Sequence, residues 1–522
     1  MKKSNIIRSI LVLIISISLI STANAFSQKP KNTSISNLND DDLDPLVDIE
    51  VTVEITKIRS LEKKDNHIPA IEKIDWLSDP DFYVKIFIND QVSVSQTWHN
   101  TKYVYDPQFS AKLNVPDDEE FVNITIQLWD KNIGRDQLCD ISSDYEGLKD
   151  SYDIELKYDI KTGNWFGDDY ISSEPVNFDL SGYGRLNGCD DNSIYQRDRD
   201  CELWFNIYQN DYDGDGIPYW TEFNIYNTNP EFDNTGEDKD NDSVPIEWEH
   251  KWGQYFSYDW HEDEYYRIWF YDPFKWEDHK NIDLDRDGLD NIEEYLTSDW
   301  GSDPFRKDLF VELDQMETSP TGEKSILPEE SKELLRTVYD RRNIVYHLDD
   351  GDMKGSDMIP FEELSEYDSL QNMYWKYFLH EDVNNWRRGV FHYGLVVYQA
   401  PHNGFVFWGG VGPYLDSFQI SSKGMEEKSS KFLLEKNTVY ASAYMHETGH
   451  TLGIFNGNTP GCDDNSGAYP WQLNWWRWRP YKSVMNYGYM YQMVDYSDGS
   501  RGKNDFDDWD RIDLTYFQRE MW

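Results

Sequence analysis

The chain has 522 residues and carries 98 Asp and Glu against 49 Lys and Arg, a formal net charge of −49. A field of that sign repels nucleic acid and anionic membranes unless cations intervene. Length alone suits about three domains at roughly 100–200 residues each, and the acidity fits either a halophilic surface or a set of calcium sites.

The chain starts with Lys2 and Lys3, an apolar run, "SILVLIISISLIS", too short to span a bilayer, and small residues at Ala23 and Ala25. This pattern predicts a cleaved secretory signal over residues 1–25 and therefore a secreted, extracellular protein. No later segment has the ~20 apolar residues of a spanning helix, so no transmembrane segment is expected after signal removal. Residues 26–45 are polar and read as a linker. Four cysteines (Cys139, Cys189, Cys201, Cys462) in an exported chain permit two disulfides, with Cys189 to Cys201 as the local pair.

Between 46 and 204 the runs "VDIEVTVEITKI", "DFYVKIFIND", "FSAKLNVP", "FVNITIQLWD" and "YDIELKYDI" alternate apolar and polar residues. They predict an N-terminal antiparallel β-sandwich. "SDPDFYVKIFI" and "LWDKNIGRDQLCDIS" resemble the two acidic loops of the calcium-dependent sandwich domain first known from protein kinase C. That resemblance implies that Asp79, Asp81, Asp130, Asn132 and Asp136 converge as oxygen ligands at one end of the sandwich, with calcium-mediated surface attachment as a candidate role; solvated turn residues are the alternative.

Residues 205–305 contain an internal repeat: "DYDGDGIPYWTE" (211–222), "DKDNDSVPIEWE" (238–249) and "DLDRDGLDNIEE" (283–294). Each has acids at positions 1, 3 and 5 and a glutamate at position 12. A hard cation takes six to eight oxygens at about 2.4 Å, and this spacing wraps short carboxylates, a position-7 carbonyl and a two-oxygen glutamate around one point. The expected calcium ligands are Asp211, Asp213, Asp215, the Ile217 carbonyl and Glu222; Asp238, Asp240, Asp242 and Glu249; and Asp283, Asp285, Asp287, the Leu289 carbonyl and Glu294. Gly216 and Gly288 allow the sharp turn at position 6, where the second loop has Ser243 and is the weaker match. The repeats resemble EF-hand-type and thrombospondin type 3 calcium loops.

From 306 to 522 strands alternate with helices: "DLFVELD", "PEESKELLRTVYDRR", "NIVYHLDD", "FHYGLVVYQA" and the helical "TVYASAYMHETGHTLGI". A mixed α/β (α+β) layer is expected. On the last helix His446 and His450 stand four apart and share one face, so both imidazoles can meet a single ion. Glu447 lies beside them as a general base that takes a proton from attacking water and returns it to the departing amine. No histidine follows His450, and the next glutamate after Glu447 is Glu520.

The stretch resembles the metzincin pattern H-E-x-x-H-x-x-G-x-x-H at every position but the last, where Asn456 stands. "YKSVMNYGY" resembles the metzincin methionine turn. The resemblance implies a zinc endopeptidase acting on protein or peptide substrates, with Met485 beneath the metal and Tyr487 binding it or stabilising the oxyanion. Position favours Asn456 as third zinc ligand, whereas ligand chemistry favours Asp463 or Asp464. The alternative function is an inactive calcium-dependent adhesion protein with a protease-like domain. His392 and His402 read as core or loop histidines. "PWQLNWWRWRP" reads as aromatic packing or a cleft wall rather than a nucleic-acid groove. "WGGVGPYLDSFQI" is either the edge strand that pairs with substrate or a surface hairpin.

Overall fold

The computed structural model describes residues 43–61, 74, 78–142, 152–168, 184–189, 199–259, 264–269, 271–401, 404–406 and 416–518. The expected signal, nearly all of the linker, and His402 lie outside them.

Two antiparallel sheets form the N-terminal sandwich. One has the order Tyr103–Asn114, Glu50–Ser60, Cys201–Gln209, Arg185–Asn187; the other runs Gln91–Val94, Phe82–Ile88, Phe121–Asp130, Ile154–Asp159, Trp165–Gly167. Alternation explains the pairing: Val51, Val53 and Ile55 face Val84, Ile86, Ile124 and Ile126 in one apolar core, and the intervening residues face outward. The closing strand Cys201–Gln209 runs past the expected boundary at 204, because its own alternation places Leu203, Phe205 and Ile207 in that core.

The expected Cys189–Cys201 disulfide is absent. All four cysteines are buried thiols and none is in a disulfide. The Cys189 thiol donates to Asp200 Oδ2 at 3.1 Å, and the Cys201 side chain belongs to the sandwich core, so the two sulfurs serve different surroundings.

Each acidic loop leads into a short helical segment, at Tyr219–Thr221, Ile246–Trp252 and Asn291–Thr297. A hairpin of Gln254–Asp259 and Glu264–Trp269, which the repeat pattern does not predict, follows the second.

The C-terminal region is built on a six-stranded sheet ordered Val345–Asp349, Asp308–Met316, Phe391–Val397, Ser417–Ser421, Gly404–Val406, with Met358–Ile359 added beside Asp308–Met316. All pairs are parallel except the last, so Gly404–Val406 runs antiparallel along the edge. Both faces are covered, so these strands are buried almost throughout, polar residues such as Asp308, Glu312, Asp314 and Gln419 included. Leu309, Val311 and Leu313 pack under the helices Glu329–Asp340 and Lys436–Thr451, while Phe310 and Leu395 face the opposite layer with Leu370 and Phe378. Residues 408–415 of the segment expected as an edge strand or a surface hairpin lie outside the described residues; its end falls in Ser417–Ser421, an inner strand with five buried residues, and the antiparallel edge precedes it.

Candidate metal centre

The helix Lys436–Thr451 is capped by the Glu435 carboxylate, which accepts the N–H groups of Asn437 and Thr438. It is buried from Thr438 to its end. It delivers His446 and His450 with ring centroids 4.8 Å apart at 85°. Each ring is anchored through Nδ1, His446 to the Val484 carbonyl at 2.9 Å and His450 to the Ile454 carbonyl at 2.6 Å. With Nδ1–H donated to a carbonyl, Nε2 is the nitrogen left to face a ligand and gives up any proton it shares with Asp463 when a metal binds, the arrangement typical of ligating histidines.

Both Nε2 atoms face one carboxylate. Asp463 Oδ1 lies 3.2 Å from His446 Nε2, and Oδ2 lies 3.4 Å from that of His450. Asn456 sits on the turn before Asp463. Its side-chain amide donates to the Cys462 carbonyl at 2.6 Å, which shapes the turn that presents the next residue. Asp463 adopts φ 54, and its N–H donates to the Met485 carbonyl at 3.2 Å, so the loop is tied to the methionine turn. Asp464 turns elsewhere and accepts from Asn474 and Trp478.

Electrostatics follow from this packing. Burial pushes the His446 imidazole down, but the Asp463 carboxylate outweighs it and lifts the group to about 9. Burial also works against the Asp463 charge, yet the two imidazoles hold its carboxyl far below the usual range. Burial raises Glu447 above ordinary carboxylates, with the imidazoles pulling the other way. Asp463 Oδ1 is buried and makes no hydrogen bond, as expected of an atom that faces a cation.

Met485 is fully buried beneath the helix; a Cβ at Gly449 would meet its sulfur at 2.7 Å. The Tyr487 ring stacks on His446 at 5.7 Å and 27°. Burial, then the Asp463 charge, drive its phenol well above the tyrosine range, so it stays a donor. A cleft of ≈ 940 Å³ opens over Glu447 and Tyr487, walled by Tyr469, Trp475 and Arg479. The tryptophan-arginine segment thus forms a cleft wall. Gly404 of the edge strand closes the other side: a Cβ there would fall 2.6 Å from Glu447 Oε1. Sequence reasoning missed Gly404, whose one signal is a glycine inside a strand pattern. His392 is a core residue against Phe517.

The three acidic loops share one backbone. Position 4 (Gly214, Asn241, Arg286) and position 6 (Gly216, Ser243, Gly288) all have positive φ, so Ser243 accepts the strain that glycine avoids. The position-1 acids Asp211, Asp238 and Asp283 accept the N–H groups of those two positions. The position-5 acids Asp215, Asp242 and Asp287 accept from Ile217, Val244 and Leu289. Left over are both oxygens of Asp213, Asp240 and Glu249, with Asp285 Oδ2, Glu222 Oε2 and Glu294 Oε1, all buried and without hydrogen bonds. Packed carboxylates with no protein donors fit a divalent cation.

The sandwich acids also meet. The Asp81 N–H donates to Asp130 Oδ1 at 2.9 Å, Asn132 donates to Asp130 Oδ2 at 2.6 Å, and Asp136 accepts from Asn132 and Tyr83. Asp79 lies alongside through Asn100. Unlike Asp213, Asp240 and Glu249 of the repeats, Asp130 and Asp136 have donors on both oxygens.

Comparison with known proteins bears on this sandwich. Residues 49–157 match the family model of the C2 domain. No curated protein matches the chain. Among solved structures, human GIVD cytosolic phospholipase A2 with a bound fluorophosphonate shares 12% identity over 31% of this chain and 17% of its own, at a TM-score of 0.17. The calcium-bound pair of C2 domains of Extended-Synaptotagmin 2 gives 12% identity over 32% of this chain and 47% of its own, TM-score 0.18. A C2 domain protein from Ramazzottius varieornatus gives 11% over 31% and 88%, TM-score 0.18. The chain is multidomain and carries an N-terminal C2 domain, which supports the expected calcium-binding sandwich. Among the described residues no helix is long and apolar enough to cross a membrane.

Proposed function

We propose that residues 306–522 form a zinc-dependent endopeptidase that works outside the cell, with the acidic loops and the C2 domain as its calcium-dependent stabilising and surface-attaching modules. The observation that carries this reading is the meeting of His446 Nε2, His450 Nε2 and the Asp463 carboxylate next to Glu447, which itself lines an open cleft. Two imidazoles and one carboxylate are a familiar donor set for catalytic zinc. The objection raised by Asn456 loses its weight when Asp463 stands in the third place, and with it the main argument for an inactive scaffold.

His446, His450 and Asp463 hold the zinc, which when bound supplies a Lewis acid that polarises the scissile carbonyl and acidifies water. Glu447 accepts a proton from the attacking water as the new C–O bond forms and then delivers it to the amine nitrogen, so that the peptide C–N bond breaks as the carbonyl oxygen's charge collapses. The Tyr487 hydroxyl donates to the carbonyl oxygen as that oxygen gains charge. Gly404–Val406 offers an edge on which an extended peptide can pair through its main chain, a mode that tolerates many sequences. The aromatic wall takes side chains from that strand.

The test is hydrolysis of casein by wild-type protein and by Glu447→Ala, with zinc counted in both. The expected outcome is cleavage by wild type alone with zinc retained in each. Equal activity of the two proteins would end the peptidase reading.

A further inference from the structure

The second acidic loop is not simply a copy of the other two. Its Asp242 and Glu249 are met by Glu277 and His279, from the chain that follows the unforeseen hairpin. One donor atom from each of these four residues lies within 4.8 Å of every other. His279 is 1% exposed, and its Nε2 makes no hydrogen bond although it lies 3.1 Å from Asp242 Oδ2 and 3.6 Å from Glu249 Oε1. Both Glu249 oxygens, both Asp240 oxygens and Glu277 Oε2 are likewise buried without partners.

The imidazole is held in this direction. Its ring sits edge-on to Tyr271 at 5.0 Å and Trp248 at 6.0 Å. Nδ1 meets the Asn291 side-chain nitrogen Nδ2 at 2.8 Å. An amide can present either end; with its oxygen accepting Nδ1–H, Nε2 turns its lone pair into the acid cluster. An ordered outer partner on one ring nitrogen is how ligating histidines are oriented.

Calcium takes oxygen donors, and a nitrogen aimed into the sphere is wasted on it. Imidazole with carboxylates suits zinc and its neighbours. Tetrahedral binding at ~2.0 to 2.1 Å places donors roughly 3.4 Å apart, so the four atoms need only draw together slightly. We propose that Asp242, Glu249, Glu277 and His279 form a second site for a divalent transition metal of the zinc class, while the first and third loops take calcium. The site is separate from the His446–His450 centre and does not depend on the peptidase reading.

The full chain, stripped by chelation and reloaded with zinc in millimolar calcium, should hold two zinc ions. His446→Ala/His450→Ala removes one and leaves the other. His279→Gln removes the second, and Co²⁺ loaded into the double variant shows a visible ligand-field band that His279→Gln abolishes. Because His279 is buried and its replacement can disturb folding, Glu277→Gln at the site's rim, whose side chain is 13% exposed, serves as the second variant. It should weaken Co²⁺ binding by about tenfold or more with the calcium-dependent rise in melting temperature unchanged. Zinc displaced by calcium from the double variant, or Co²⁺ affinity equal in wild type, His279→Gln and Glu277→Gln, would overturn the second site; loss of only the first zinc would count against the peptidase centre alone.

Discussion

At the residue scale the catalytic proposal turns on which side chain completes the metal shell. Asp463 faces both imidazoles, whereas Asn456 uses its amide to hold the Cys462 carbonyl. Asp463→Ala should therefore remove zinc and casein cleavage together. Asn456→Ala should leave zinc bound with affinity lowered about 10- to 100-fold, the usual effect of losing an outer-shell partner. Equilibrium zinc titration separates the two, and equal losses would put Asn456 back among the ligands. Gly404 gives a second case. A side chain at 404 collides with Glu447 Oε1 rather than with a metal ligand, so Gly404→Val should lower kcat/KM at least about tenfold with zinc content unchanged. His446 and His450 were legible because a spacing of four puts both imidazoles on one helix face, with Glu447 one residue after the first. Asp463 was legible only as one of two acids that ligand chemistry favoured against Asn456, because choosing it needs a left-handed backbone and a hydrogen bond to the Met485 carbonyl from a different turn. No local pattern encodes that.

At the scale of elements the acidic loops were legible down to their position-12 glutamates, since one backbone signature repeats three times. Ser243 made the second loop a weaker match on sequence, yet its chain path is the same. Glu277 and His279 stayed hidden because a hairpin separates them from the loop they complete. The loops also predict a pH dependence. Burial first, and neighbouring carboxylates second, raise Asp215 to about 6; burial, with Asp215 among the neighbouring charges, raises Glu222 to about 8, and burial raises Asp287 to about 8. Unfolded carboxylates titrate near ~4. Between those limits the metal-free folded chain holds more protons than the unfolded one, so its stability is full below about pH 4 and is lost as pH rises toward about 8. Calcium needs the same groups deprotonated, and its stabilisation grows over the same window. Melting curves with chelator should thus fall from pH 4 to 8, and the gap to calcium-loaded protein should widen; parallel curves would mean that the loops bind no calcium.

At the scale of the whole molecule, the C2 domain and the C-terminal sheet are joined by a buried ion network that no segment of sequence announces. Arg59, on a sandwich strand and fully buried, reaches Glu333 and Asp340 on the helix Glu329–Asp340, with its Nε 3.0 Å from Asp340 Oδ2. Arg185 bridges Glu202 at 2.7 Å and lies 3.6 Å from Asp340. Arg341 donates to the Leu61 carbonyl at 2.6 Å, and Asn187 to that of Asp340 at 2.6 Å. Each sheet was predictable from its own stretch of sequence, but partners 274 residues apart are set by how the modules dock. The network matters less as a source of stability than as a penalty against separation, because pulling the modules apart strands charges that desolvation has already made costly. Arg59→Ala leaves Glu333 and Asp340 without their main counter-charge and should cost about 3–5 kcal/mol. Arg59→Met, with Glu333 and Asp340 also replaced by apolar residues, should recover much of it. The same logic fixes how the protein melts. In wild type the sandwich and the C-terminal region should unfold in one calorimetric transition, and in Arg59→Ala that transition should split, the C2 domain separating first. Two transitions already present in wild type, or one undisturbed transition in Arg59→Ala, would mean that the modules stand side by side without thermodynamic coupling.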